Sequence, residues 1–341
     1  MMQNDENTLL EVSGLRTVFD TRAGVVCAVD GVDVTVRRGE CLGVVGESGS
    51  GKSVTFGSVM GLVRAPGRID AGSIIFEGQD LRALGPGQMR AIRGRDIAMT
   101  MQDALTALNP ALTVGEQIRE VLEAHDEELP ARGAARRRAI RERAVEMLGL
   151  VGIPSPGERL RQYPHEFSGG MRQRIMIAIA LASRPKLLIA DEPTTALDVT
   201  IQAQVLELIS DIRARLGMSV VLITHDLGVV AEHCERVMVM YAGQVVEQGP
   251  TRDVISAPQH PYTKGLLASI PRPALRGERI HPIQGQVPDL IDLPPQCRFY
   301  SRCPLAGPDC LKNIAMQPAG PRRMARCIRV ENAATRQEAE V

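Results

Sequence analysis

Cys41-Leu42-Gly43-Val44-Val45-Gly46-Glu47-Ser48-Gly49-Ser50-Gly51-Lys52-Ser53 reads as a strand, a glycine loop and the first residues of a helix. Cys41 to Val45 is an unbroken apolar run, the pattern of a strand buried on both faces of a parallel sheet. The spacing from Gly46 to Gly51-Lys52-Ser53 then matches a phosphate loop in the strand-to-helix context that the mechanism demands. Glycines let backbone N–H groups approach phosphate oxygens with no Cβ in the way. Lys52 brings a point charge for the β- and γ-phosphates and Ser53 a hydroxyl for Mg²⁺, while the helix aims its positive end at the anion.

Working downstream, Leu187 to Ala190 is a second buried-strand pattern, and Asp191 and Glu192 follow it directly. Ligands bind open α/β sheets at the carboxyl ends of strands, so Asp191 is placed to hold Mg²⁺ through water. Glu192, next to it, can orient or deprotonate an attacking water. Gln102 follows the apolar run Ile97 to Met101, and its amide oxygen can bind a metal or a water. His225 follows the strand pattern Ser219 to Thr224, where an imidazole can donate to a γ-phosphate. Helical patterns cover Ile175 to Ala182 and Ile201 to Leu216, and this β-α-β alternation predicts a parallel sheet with helices on both faces.

Upstream and around this core, Thr8 to Val12, Val32 to Val36 and Ser73 to Phe76 read as short strands. Val114 to about Gly152 reads as helical, with Arg136-Arg137-Arg138 as a solvated face. Val237 to Tyr241 and Gln244 to Glu247 flank Ala242-Gly243 as a hairpin. From about Ser256, prolines at 258, 261, 271, 273, 282, 288, 294 and 295 predict an irregular extension rather than more sheet. Glu331 to Val341 reads as a frayed polar tail, and no internal repeat is visible.

The 341 residues carry 40 Lys+Arg and 40 Asp+Glu, so no global field favours nucleic acid. No apolar run approaches the ~18 residues a membrane-spanning helix needs, and the polar start Met1-Met2-Gln3-Asn4-Asp5-Glu6 is unlike a signal peptide. The expectation is a chain kept in the cytosol, whose membrane role, if it has one, comes through partners. In that compartment the seven cysteines are not read as a disulfide framework.

Phe167-Ser168-Gly169-Gly170-Met171-Arg172-Gln173-Arg174 lies between the two nucleotide segments and opens a helix with a Ser-Gly-Gly turn. Taken in order, these segments resemble the ATP-binding cassette (ABC) proteins over most of residues 9–260. The resemblance implies a P-loop NTPase, RecA-like α/β core with an N-terminal antiparallel β-subdomain, an inserted helical subdomain at about 103–180 and a Cys-containing extension. It divides the chain into an ATPase domain, 1–258, and an extension, 259–341. It assigns Gly46, Glu47, Ser48, Gly49, Ser50, Gly51, Lys52 and Ser53 as Walker A, Gln102 as the Q-loop glutamine and Asp191 as the Walker B aspartate. Glu192 becomes the catalytic glutamate, Asp198 part of the D-loop Thr195-Ala196-Leu197-Asp198, and His225 the switch histidine. Ser168, Gly169 and Gly170 would contact ATP held by another subunit's loop, two cassettes closing head-to-tail on ATP and reopening after hydrolysis. Phe19 is the candidate that stacks on adenine, with Val25 as the alternative.

The Leu108-Asn109-Pro110 turn, Tyr163-Pro164-His165-Glu166, Met171 and His260-Pro261-Tyr262-Thr263-Lys264 are similar to the oligopeptide/dipeptide importer ATPases, Met171 to their D-type subunit. Asp103-Ala104 departs from the usual Asp-Pro after the glutamine. That resemblance implies two permease subunits, an F-type ATPase partner, an extracytoplasmic solute-binding protein and a place on the cytoplasmic face of the inner membrane. A soluble ABC ATPase of repair or translation is the rival reading, and a non-catalytic regulatory cassette a third. Cys297, Cys303, Cys310 and Cys327 crowd the extension; their spacing fits neither zinc-finger pairs nor ferredoxin runs, leaving metal or buried free thiols open. The likeness of Cys297-Arg298-Phe299-Tyr300-Ser301-Arg302-Cys303-Pro304 to the importer ATPases, some of which hold a four-iron cluster, implies a structural [4Fe-4S] site.

Overall fold

The computed structural model describes residues 7–126, 128–195, 197–270 and 282–330. The expectations for Met1 to Glu6, Ala196, Pro271, Pro273 and the tail Glu331 to Val341 lie outside the described residues.

Strands β1 (Thr8–Thr21) and β2 (Gly24–Arg37) form an antiparallel hairpin, far longer than the two short strands expected. The reason is local. Register shifts fall between Val12 and Leu15 and again before Val18, and Gly14 takes a positive φ of 58°. These bulges interrupt the period-two alternation, so a pattern reading stops at Val12 although the pairing continues. Then come β3 (Cys41–Val45), buried at every residue, α1 (Lys52–Val59), β4 (Gly67–Phe76), β5 (Gln79–Asp80) and α2 (Pro86–Ile92).

Strand β6 (Ile97–Thr100) leads to α3 (Ala104–Ala107), α4 (Val114–His125) and α5 (Gly133–Leu150). The single helical stretch expected over 114–152 is therefore two helices. A capping box starts α4, with the Thr113 hydroxyl accepting from Glu116 N–H at 3.2 Å and the Glu116 carboxylate accepting from Thr113 N–H at 2.8 Å. Asp126, in extended geometry, ends it. Buried Val114, Ile118 and Leu122 share one face of α4, and it packs against α5. Arg137 and Arg138 are solvated, and Arg138 pairs with Glu142 one turn on at 2.7 Å, as a surface face does.

The remaining elements are α6 (Pro156–Arg159), α7 (Gly169–Leu181), β7 (Leu187–Asp191), α8 (Val199–Leu216), β8 (Ser219–Thr224), α9 (Leu227–His233), β9 (Arg236–Tyr241), β10 (Gln244–Pro250), α10 (Thr251–Ser256), α11 (Pro261–Ala268), β11 (Gln317–Pro318) and β12 (Met324–Ala325). The extension is more regular than its prolines suggested, which corrects the expectation of no further sheet. Pro261 sits at the first turn of α11, where its missing N–H costs nothing. β12 pairs antiparallel with β10, and β11 with β12. Each is two residues long, too short for any periodicity to announce.

Two compact units result: residues through Arg37 with Cys41–Arg82 and Leu222 onward, and Arg38–Glu40 with Ala83–Val221. The first holds the antiparallel sheet β2-β1-β4-β5 and the strand order β11-β12-β10-β9-β3, with β3 and β9 parallel. The second holds the helices α2 to α8 and the parallel pair β6-β7. The boundary runs through β8. Among the described residues no helix is long and apolar enough to cross a membrane.

Candidate active site

In the first unit, β3 delivers the chain into the loop Gly46–Ser53. Gly46 is held so close to the Met240 carbonyl that a Cβ would stand 2.2 Å from it, and a Cβ on Gly51 would stand 2.5 Å from the Ala28 carbonyl. Both glycines have positive φ, 157° and 98°. No other residue fits there, which is the physical content of the pattern. Lys52 is buried and donates to the Gly46 and Glu47 carbonyls at 2.7 and 3.0 Å, so its ammonium curls over the loop. Ser48, Gly49 and Ser53 are exposed, whereas Ser50 is buried and its Oγ finds no protein partner. The leading end of α1 has no side-chain cap and no acidic residue in its first turn. Glycine walls, a curled ammonium, an uncapped helix end and an orphaned hydroxyl together fit a polyphosphate.

His225 follows β8, the sheet neighbour of β3, and is exposed there, with Asp226 capping α9 behind it. Phe19, half-buried near the end of β1, lays its ring over Gly67, where a Cβ would lie 2.5 Å from the ring. Val25, the alternative, is 40% exposed on β2.

In the second unit, Asp191 ends β7 and is buried, while Glu192 turns the chain in left-handed geometry, φ 44°. A non-glycine residue held there is strained, and such strain collects at functional positions. The Glu192 carboxylate accepts from Gln102 Nε2 at 3.1 Å and from Thr195 Oγ1 at 2.9 Å. The sequence-predicted glutamine and glutamate thus meet directly. Thr195, read only as part of a motif, is what steadies the carboxylate.

The Ser-Gly-Gly turn opens α7. The Ser168 hydroxyl accepts from Met171 N–H at 3.4 Å, and Ser168 and Gly169 are exposed. Gly170 is needed for packing: a Cβ there would lie 2.6 Å from Ile201 of α8. Buried Phe167 anchors the turn from behind, and Arg172 Nε donates to the Pro164 carbonyl at 2.8 Å. Asp198 caps α8, accepting from Ile201 N–H at 2.9 Å.

Sequence reasoning gave no role to three residues of the first unit that brace the phosphate loop. Tyr262 accepts from Glu47 N–H at 2.9 Å, and burial pushes its phenol above the usual range. Arg302 grips the Glu47 carboxylate at 2.6 and 3.0 Å. Arg298 pairs with Asp30 and donates to the Ala242 carbonyl. Tyr262 and the two arginines come from the extension, more than 200 positions from the loop, so no local pattern could signal them.

Cys310 and Cys327 are buried and Cys297 and Cys303 half-buried. Burial pushes the Cys297 thiol up to about 11, and the other three thiols add to that rise. Among the described residues, however, no group of three or more His, Cys, Asp or Glu is arranged to hold a metal ion. The expectation of a [4Fe-4S] site therefore gains no ligand geometry.

A strand feeding a phosphate loop in the first unit, and paired acidic residues closing a strand and a Ser-Gly-Gly helix start in the second, define a P-loop ATPase of the cassette class. The family model described as "ABC transporter" matches residues 29–195, and "Oligopeptide/dipeptide transporter, C-terminal region" matches residues 246–310. The chain is 54% identical to the dipeptide transport ATP-binding protein DppD of Bacillus subtilis, over 87% of each. It is 47% identical to the oligopeptide transport ATP-binding protein OppD of Salmonella typhimurium, over 95% of this chain and 94% of that protein. Among solved structures, the dimeric post-hydrolysis state of the ATP-binding cassette MJ0796 bound to ADP and Pi is similar at TM-score 0.63 and 25% identity, covering 72% of this chain and 99% of that one. The chain belongs to the ABC transporter ATP-binding proteins of the oligopeptide/dipeptide importer family, and it is an ATPase. Relatives matched over nearly their whole length are transport proteins, which decides against the soluble repair or translation reading.

Proposed function

We propose that this chain powers the import of peptides from the cytoplasmic face of the inner membrane, as the D-type ATPase beside an F-type partner. Two permease subunits would carry the solute and an extracytoplasmic binding protein would select it. The observation that carries this reading is the pairing of an intact cassette with the C-terminal region named for oligopeptide/dipeptide transporters. Met171, in place of the commoner glutamine, supports the D-type assignment.

In the proposed reaction, backbone N–H groups of Gly46 to Ser53 and the Lys52 ammonium bind the phosphates of ATP, and Phe19 stacks on adenine. Ser53, Gln102 and Asp191 would hold Mg²⁺, which when bound would supply Lewis-acid stabilisation of the phosphoryl oxygens. Glu192 orients the attacking water and takes its proton, and His225 donates to the γ-phosphate and senses its loss. Ser168, Gly169 and Gly170 meet the nucleotide of the partner ATPase, and Asp198 sets the start of α8 beside that contact. Cleavage removes the phosphate that this turn binds, and the pair reopens.

The four extension cysteines would hold a [4Fe-4S] cluster of structural role. Their donor chemistry suits it: burial pushes the Cys297, Cys303 and Cys327 thiols up, and a cationic centre would relieve the cost of ionising them there. Anaerobic purification with iron and sulfide analysis tests this. Brown protein that loses both on Cys303→Ser supports the cluster, and colourless zinc-loaded protein contradicts it. The transport reading is tested by uptake of labelled dipeptides in cells expressing the complete importer with Lys52→Ala in this chain: loss of uptake supports it.

A further inference from the structure

We infer that Arg302 is a positioning residue for the ATPase reaction: reaching from the C-terminal extension, it neutralises and fixes Glu47, so that the phosphate loop meets polyphosphate without an unpaired carboxylate beside it. The inference rests on the ATPase assignment and needs neither the peptide reading nor a group on the cysteines.

Glu47 is the second residue of a loop built to receive a multiply charged anion, and a free carboxylate there opposes that anion. Its side chain is 29% exposed, while that of Arg302 is 4% exposed. Two guanidinium nitrogens approach the two carboxylate oxygens at 2.6 and 3.0 Å, the bidentate geometry that lysine cannot reproduce. The guanidinium is itself held in place. Nε donates to the Gln284 carbonyl at 3.0 Å and Nη2 to the Ile283 carbonyl at 3.3 Å. Nη1 donates to the Tyr241 hydroxyl at 3.3 Å, and the rings of Tyr241 and Phe299 lie 5.6 and 6.0 Å from the guanidinium carbon.

Two further ties bind the same loop to the same extension. Tyr262 takes the Glu47 N–H at 2.9 Å. Arg298 holds the Ala242 carbonyl, and the adjoining Gly243 N–H donates to the Ser50 carbonyl at 2.9 Å. The backbone of Glu47 and Ser50 is thus fixed before nucleotide arrives, and the one acidic side chain among these loop residues is turned into an ion pair.

The test is equilibrium binding of a fluorescent ATP analogue with Mg²⁺ to the full chain, with melting temperature recorded for each variant. Arg302→Ala is expected to raise Kd about tenfold, equivalent to ~1.4 kcal/mol. Arg302→Lys recovers only part of that loss. Glu47→Gln in the Arg302→Ala background returns Kd to within about twofold of wild type, because the carboxylate that needed pairing is gone. Should Arg302→Ala melt too early to assay, Arg302→Gln, which keeps a neutral N–H donor near the Gln284 carbonyl, carries the same comparison. An unchanged Kd in the folded Arg302 variants overturns the inference. So does a double variant that binds no better than Arg302→Ala, since a merely structural loss would not be rescued at Glu47.

Discussion

Glu192 shows how much is decided at a single residue. Its backbone is left-handed, and its carboxylate accepts hydrogen bonds from Gln102 and Thr195. If it takes the proton of the attacking water, Glu192→Gln lowers steady-state hydrolysis at least ~100-fold while ATP still binds and holds the closed pair. Phosphate release and retained nucleotide, measured on the same sample, check this; unchanged hydrolysis removes Glu192 from the role. His260 makes a different prediction. It is fully buried, caps α11 by accepting from Tyr262 N–H at 3.1 Å, and burial, with Arg326 nearby, lowers its pKa to about 3. The unfolded chain binds this proton near pH 6.5 and the folded chain does not. Stability from this group is therefore complete above about 6.5 and declines on acidification toward about 3, by up to ~1.4 kcal/mol per pH unit. Urea unfolding from pH 7.5 to 4.5 shows the slope, and His260→Asn, which keeps an acceptor at the cap, flattens it.

At the scale of elements, the contact between α7 and α8 ties the Ser-Gly-Gly turn to the helix behind it. A methyl on Gly170 meets Ile201 at 2.6 Å, inside any tolerable contact. Gly170→Ala is expected to destabilise the chain by about 1–3 kcal/mol, and Ile201→Ala to recover part of that in the double variant. Thermal melts of the three variants decide it; a neutral Gly170→Ala would leave this glycine explained by nucleotide contact alone. The extension shows where pattern reading fails. Its prolines signal interruption, yet Pro261 begins a helix and Pro318 lies in an edge strand, both places where a missing N–H is tolerated. What anchors it is Glu247, fully buried, whose carboxylate takes Gln259 N–H, His260 N–H and Arg323 Nη2, each at 2.9 Å. Nothing local in the sequence joins those four residues.

Across the whole molecule, what could be read in advance was what the chain states locally. Glycines where a Cβ cannot fit, apolar runs that end in Asp191 or His225, and a turn that opens a helix each follow from a few adjacent residues. The long hairpin β1–β2 was hidden by its bulges, and the hold of Arg302 on Glu47 by a separation of 255 positions. The same limits apply to assembly, because Ser168 and Gly169 are exposed at a helix start whose proposed ligand belongs to another subunit. The central claim, that this ATPase works as part of a membrane importer, is most directly tested by tagging the chain in its own cells, solubilising the membranes in mild detergent and purifying it. The account predicts that two polytopic permease subunits and a second cassette ATPase come with it, and that hydrolysis by the complex rises when a peptide-loaded binding protein is added. Recovery of the chain from the soluble fraction alone, with no permease and no response to peptide, would contradict it.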